Sequence, residues 1–178
     1  MLVSSCFTKF DMIPVTSVDV DARPQSAADH TVSPSMPPQL VALDTNVCLD
    51  LFVFADKHSQ AILAALEAGS IKAVTRADCR AEWLAVLHYQ HLALDDERRA
   101  NVAAQFDRFI ECIAPLESGT RLPVCTDKDD QKFLQLARDA QVAYLITKDK
   151  ALLKLARKVA KLGLFAIVVP NAWHAPSV

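Results

Sequence analysis

Leu40-Val41-Ala42-Leu43-Asp44-Thr45-Asn46 decides the reading of this chain. Four apolar residues run together without polar alternation, then stop at an acid. An uninterrupted apolar run of this length suits a strand buried on both faces, as in a parallel sheet. An acid at its carboxyl end falls where open α/β sheets place their functional crevice. Outward from this stretch the pattern repeats. Residues 71–74, 143–146 and 165–169 read as further short buried strands. Helical stretches lie between them: 46 to about 55, 59–68 with Gly69 as a stop, and 77 to about 92. Others cover 95–112, opened by Asp95, Asp96 and Glu97, then 127–140, and 150–162 ending near Gly163. Short apolar strands alternating with helices predict an α/β domain with a parallel sheet and helices on both faces.

Three more acidic stretches fall at element boundaries: Arg80-Ala81-Glu82-Trp83, Asp127-Lys128-Asp129-Asp130 and Ile146-Thr147-Lys148-Asp149. Asp44 ends one strand, Asp149 lies just past another, and Asp130 lies in the first turn of a helix. All three belong to one edge of the sheet, and Glu82 must reach over from a helix. Gathered there, they form an acidic pocket with no obvious cationic side chain inside it. Like charges about 4 Å apart repel by about 4 kcal/mol at an effective dielectric near 20. Such a cluster persists by taking up protons or by binding a divalent metal, which points to chemistry on phosphates.

These motifs, in this order, resemble the PIN domain family of metal-dependent nucleases over about residues 39–174. Val41-Ala-Leu-Asp44-Thr-Asn46-Val47 is similar to its opening strand and first acid, and Glu82-Trp-Leu-Ala-Val-Leu87 to its helix-borne glutamate. Asp127-Lys-Asp-Asp130-Gln-Lys-Phe-Leu-Gln-Leu-Ala137 and Tyr144-Leu-Ile-Thr147-Lys-Asp149-Lys-Ala-Leu-Leu153 are similar to its third and fourth acidic segments. The resemblance implies a three-layer α/β/α fold around a central parallel sheet of about four to five strands. It implies Asp44, Glu82, Asp130 and Asp149 as the catalytic acids that hold Mg²⁺ or Mn²⁺, and hydrolysis of RNA phosphodiesters leaving a 5′-phosphate and a 3′-hydroxyl. The nearest branch is the bacterial one of toxin–antitoxin pairs, so a small protein antitoxin is an implied partner. Lys148 stands where a glycine is common in the family.

Each acid also has a structural reading. Asp44 could form an Asx turn or cap the next helix. Glu82 could be a solvated helix acid, with Asp78 as the alternative one turn earlier. Thr126 or Asp127 could cap the following helix, and register against Phe133, Leu134, Leu136 and Ala137 favours Asp130 over Asp127 as the ligand. Asp149 could cap the next helix, as could Thr147. Asn46, Thr147 and Asp127 are the supporting polar residues, with Asn46 the natural orienter of Asp44. His88 and His91 have i, i+3 spacing but lack the further ligands a zinc site needs. Lys148, Lys150, Lys154 and Arg157, with Lys158 and Lys161, form a basic stretch beside Asp149 suited to an RNA backbone.

Composition bounds the rest. The chain has 178 residues, 52% of them hydrophobic, with net charge −2. That length supports one domain with a real core. The charge does not suit a general nucleic-acid binder, which is usually basic. Three glycines cannot build a GxGxxG or a P-loop. Five cysteines without a CxxC read as free thiols in a reducing, cytoplasmic compartment. No apolar run approaches the ~18 residues of a membrane span, and the start lacks a secretory pattern. Residues 1–38 hold five of the nine prolines and no sustained period, and read as a flexible extension before a domain at 39–178. The apolar early helices, near residues 47–54 and 62–66, could form a homodimer seam. Two rival functions remain: a phosphatase or phosphotransferase with Asp44 as nucleophile, and a non-catalytic binding module. Asn46 stands where the former would carry its second acid.

Overall fold

The computed structural model describes residues 37–175, so the expected extension lies outside the described residues except for Pro37 and Pro38. Five strands form one parallel sheet: β1 (Gln39–Leu43), β2 (Ile71–Thr75), β3 (Ile110–Cys112), β4 (Tyr144–Ile146) and β5 (Ala166–Val168). Their order is β3-β2-β1-β4-β5. The helices among the described residues are α1 (Thr45–Leu49), which continues through a wider π-type turn at Asp50–Phe54, α2 (Gln60–Glu67) and α3 (Ala77–Val86). They continue with α4 (Asp96–Phe109), α5 (Gln131–Asp139), α6 (Lys150–Leu153) and α7 (Ala156–Lys161).

The central position of β1 explains its unbroken apolar run. Val41 and Leu43 enter one buried cluster with Val47, Phe52, Ile62, Trp83 and Phe106. Ala42 enters the other with Phe133, Leu134, Leu145, Leu152 and Val159. Helices α1, α2 and α4 therefore cover one face, and α5, α6 and α7 the other. α3 contributes Trp83 to the first cluster and Cys79 to the second. This is the expected three-layer α/β/α arrangement. Each buried Val, Leu, Ile or Phe contributes about 1.5–3 kcal/mol. Trp83 stacks on Phe106 with centroids 5.1 Å apart, so α3 is anchored one residue from Glu82.

β1 pairs with β2 on one side and with β4 on the other. The chain runs outward to β3 and returns across β1 to β4, so the carboxyl ends of β1 and β4 flank the point where strand order reverses. Ligands of open α/β sheets bind at that crevice. Leu43 is in register with Ile146, which brings Asp44 and Thr147 to the same rung.

Four expected elements are corrected. The helix expected to reach residue 112 ends at Phe109, and Ile110 turns extended (φ −122°, ψ 112°) to begin β3. Only Ile110 of β3 is buried, so this short edge strand has no alternation to read. The helix expected to run to about residue 92 ends at Val86, which separates His88 and His91 from any common helical face. α5 starts at Gln131, not at residue 127, because the Asp129 N–H donates to Asp127 Oδ1 at 2.9 Å. Such side-chain bonds to local backbone compete with helix. The single helix expected over 150–162 is split, and the step at Leu155 lets Leu152, Leu155 and Val159 all be buried. The two glycine stops are real: Gly69 and Gly163 take φ of 69° and 66°.

The residues of the expected dimer seam are largely used in the core. Val47, Cys48, Leu51, Phe52, Ile62, Ala65 and Leu66 are buried, leaving Phe54 as the large exposed side chain of that region. No helix among the described residues is long and apolar enough to cross a membrane.

Candidate metal centre

Asp44 occupies the cap position of α1 with extended backbone, yet its carboxylate makes no capping bond. Its main-chain N–H donates to Ile146 O at 3.0 Å, which carries the β1–β4 ladder one rung past the strands. The carboxylate is held from the side. Asn46 Nδ2 donates to Asp44 Oδ2 at 2.6 Å, and Thr147 Oγ1 donates to the same oxygen. Neither donor touches Oδ1. Burial raises the Asp44 carboxyl above its usual range. The donors from Thr147, Asn46 and the Thr45 backbone partly oppose that rise, and the charge of Glu82 adds to it.

The β4–α6 loop is fastened to this junction. The Lys148 N–H donates to Asn46 Oδ1 at 3.1 Å, and the Asp149 N–H donates to Thr147 Oγ1 at 2.8 Å. Lys148 has no left-handed φ, so the loop does not require the glycine common at that position. Asp149 does cap its helix, with Oδ1 accepting from the Ala151 and Leu152 N–H groups at 2.6 and 3.1 Å.

Asp130 stands at the cap position of α5 and, like Asp44, makes no capping bond. Burial first, then the charges of Asp149, Asp44 and Asp127, push its carboxyl from 3.8 to about 7. Asp44, Asp130 and Asp149 thus share one electrostatic field at the carboxyl edge of the sheet. Asp127 is exposed and spends Oδ1 on its own turn.

Glu82 is also brought to this edge, but its surroundings differ. Thr45 Oγ1 donates to Oε1 at 2.6 Å, and Lys132 Nζ pairs with Oε2. The expectation of a pocket free of cations is therefore corrected: α5 carries a lysine into it two residues past Asp130. Lys148 is ion-paired as well. Its Nζ lies 2.7 and 2.6 Å from the two oxygens of Asp50, whose side chain is only 7% exposed. That amine is paired within the fold, on a side chain that is 47% exposed. Lys150, Lys154, Arg157, Lys158 and Lys161 are exposed, and none is ion-paired among the described residues.

Lys132 and Asp50 were missed in the sequence. Asp50 carried a signal, because an acid inside an apolar helical run must find a partner once buried. Lys132 carried none, since its partner lies on a different helix.

The donors suit a hard divalent cation. They are carboxylate oxygens, the ligands Mg²⁺ and Mn²⁺ prefer. The nearby sulfurs are poor competitors. Burial pushes the Cys48 thiol well up and the Cys79 thiol up to about 12, so both remain neutral. As the side chains stand, no group of three or more His, Cys, Asp or Glu among the described residues is arranged to hold a metal ion.

A family model described as PIN domain matches residues 40–151, a span from β1 through the start of α6 that includes all four acids. No curated protein matches the chain.

Proposed function

This chain belongs to the PIN domain family of nucleases, and from that premise we propose that it is a metal-dependent endoribonuclease. One observation carries the reading. Asp44 and Asp130 both occupy helix-cap positions and neither carboxylate caps. A side-chain cap stabilises by about 1 kcal/mol, and Asp95 and Asp149 do make theirs. Burial first, then the charges of Asp149, Asp44 and Asp127, raise the Asp130 carboxyl instead.

The chain's own residues position and bind. Thr147 and Asn46 fix Asp44 through Oδ2 and leave Oδ1 without a side-chain donor among the described residues. Asp149 is fixed by its cap and Asp130 by the start of α5. These three aspartates would hold Mg²⁺ or Mn²⁺, with Glu82 beside them paired to Lys132. Bound there, such an ion supplies charge to the phosphoryl oxygens and makes water a better nucleophile. No side-chain nucleophile is required, and the products carry a 5′-phosphate and a 3′-hydroxyl. Asn46 donates to Asp44 in place of offering a second acid, which disfavours a phosphoenzyme. Lys150, Lys154 and Arg157, exposed beside Asp149, hold the RNA backbone by charge. A cytoplasmic toxin role follows as the biological form of this reading, with an antitoxin that blocks the acids through a basic side chain.

The test is RNA degradation in Mg²⁺, Mn²⁺ and EDTA, with a single-stranded DNA of matching sequence beside it. Wild type should cut RNA only with metal, and Asp44→Asn or Asp130→Asn should lose at least about 100-fold, in line with removing a group that holds a catalytic ion. Cleavage in EDTA, or variants as active as the parent, sinks the assignment. Preference for DNA removes the RNA part alone.

A further inference from the structure

The four acids are not equivalent. Asp44, Asp130 and Asp149 have no cationic partner among the described residues. Glu82 has both oxygens engaged, one by the Thr45 hydroxyl and the other by the Lys132 ammonium. The pair is sheltered, with side-chain exposures of 21% for Lys132 and 29% for Glu82.

Both partners are held by buried neighbours. Trp83, next to Glu82, is 1% exposed. Phe133, next to Lys132, is also 1% exposed, and the Lys132 ammonium lies 5.7 Å from its ring centroid. α3 and α5 therefore deliver the two charges from anchored positions, and the pair does not depend on two freely moving surface side chains. A lysine so placed adds a fixed positive charge to the acidic crevice. It also satisfies the Glu82 oxygen that would otherwise be open to a cation.

We propose that Lys132 is a positioning residue that neutralises Glu82 and keeps it from the divalent ion, so that the ion is bound by Asp44, Asp130 and Asp149. Glu82 instead braces the Thr45 end of α1 against α3 and α5. The proposal rests on the metal-dependent reading above and deepens it. The lysine sets how much negative charge the crevice offers. With it, one divalent ion leaves the four acids one charge short of neutrality; without it, two. A cleft closer to neutral admits an anionic phosphodiester more readily. Lys132 thereby trades tight metal binding for access of the nucleic acid.

The experiment is Mn²⁺ calorimetry on the full chain, with thermal unfolding as a check that each variant folds. Lys132→Met should bind Mn²⁺ about tenfold tighter, because it frees Glu82 and removes a competing cation. Lys132→Arg should stay within about threefold of wild type, since it keeps the charge. Glu82→Gln, which leaves the Lys132 ammonium unpaired, should weaken binding about tenfold, whereas Asp44→Asn should abolish it. The double variant Lys132→Met/Glu82→Gln, which lacks both charges, should return to the wild-type affinity; a purely structural role for the lysine would not produce that return. In an RNA cleavage assay saturated with Mn²⁺, Lys132→Met should raise KM more than it lowers kcat.

Loss of Mn²⁺ binding in Glu82→Gln as severe as in Asp44→Asn would make Glu82 a direct ligand and overturn the proposal while leaving the nuclease reading intact. Unchanged or weaker binding in folded Lys132→Met would do the same. A folded wild-type protein that binds no Mn²⁺ would remove both.

Discussion

Replacing Asp130 by asparagine should stabilise the metal-free protein while removing its response to metal. Burial and the charges of Asp149, Asp44 and Asp127 raise this carboxyl from 3.8 to about 7. A rise of roughly three in pKa corresponds to about 4 kcal/mol at most. Asp130 remains partly open to water, and screening reduces that to about 1–2 kcal/mol. The sign follows from which state binds the proton. Below about pH 4 the carboxyl is protonated in folded and unfolded chains alike, and it costs nothing. Between about pH 4 and 7 the unfolded chain ionises while the folded one holds its proton, so stability falls as pH rises. Above about 7 the full cost is present. Asparagine carries no charge and escapes it. Urea unfolding in EDTA should therefore place Asp130→Asn about 1–2 kcal/mol above wild type at pH 8, with the gap closing toward pH 4. Added Mn²⁺ should reverse the order, because binding to the native state stabilises only the protein that can hold the ion. A variant no more stable than wild type at pH 8, in EDTA and correctly folded, would refute the claim that these acids repel one another.

Three other outcomes follow from the same geometry. Lys148→Met leaves the buried Asp50 carboxylate without its partner and should cost about 2–3 kcal/mol in urea unfolding, less than a fully buried pair because Lys148 is 47% exposed; Lys148→Met/Asp50→Asn should recover most of it. Asp139 is held at 2% side-chain exposure against Arg138 and also accepts from the Ser118 N–H at 2.8 Å. Burial pushes its carboxyl up, but Arg138 and Ser118 outweigh burial and the net shift is downward. Its contribution is thus present above the unfolded pKa near 4 and lost as pH falls through the lower folded value, so Asp139→Asn should cost about 3 kcal/mol at pH 7 and progressively less in acid. Reversing charge on the exposed basic face, with Lys154→Glu and Arg157→Glu, should weaken RNA binding and flatten its dependence on salt in filter-binding assays, with no change in Mn²⁺ affinity.

What could be read from the sequence, and what could not, divides along a physical line. β1 and β4 were legible because a strand buried on both faces must be apolar throughout, a property carried by consecutive residues. The positions of Asp44, Asp130 and Asp149 at ends of elements were legible, because a strand's apolar run and a helix's period both stop there. β3 was hidden because an edge strand with one buried residue has no pattern of its own. The pairs Lys148–Asp50 and Lys132–Glu82 were hidden because their partners are brought together only by the packing of separate elements. Helix capping and metal binding were the competing readings of Asp44, Asp127 and Asp149. In the structure Asp149 caps α6, whereas Asp44 and Asp130 stand at cap positions without a side-chain cap bond. Leaving two such positions unused, within reach of each other's charge, forgoes stability a simple scaffold would keep. Departures of that kind concentrate where a fold serves a site.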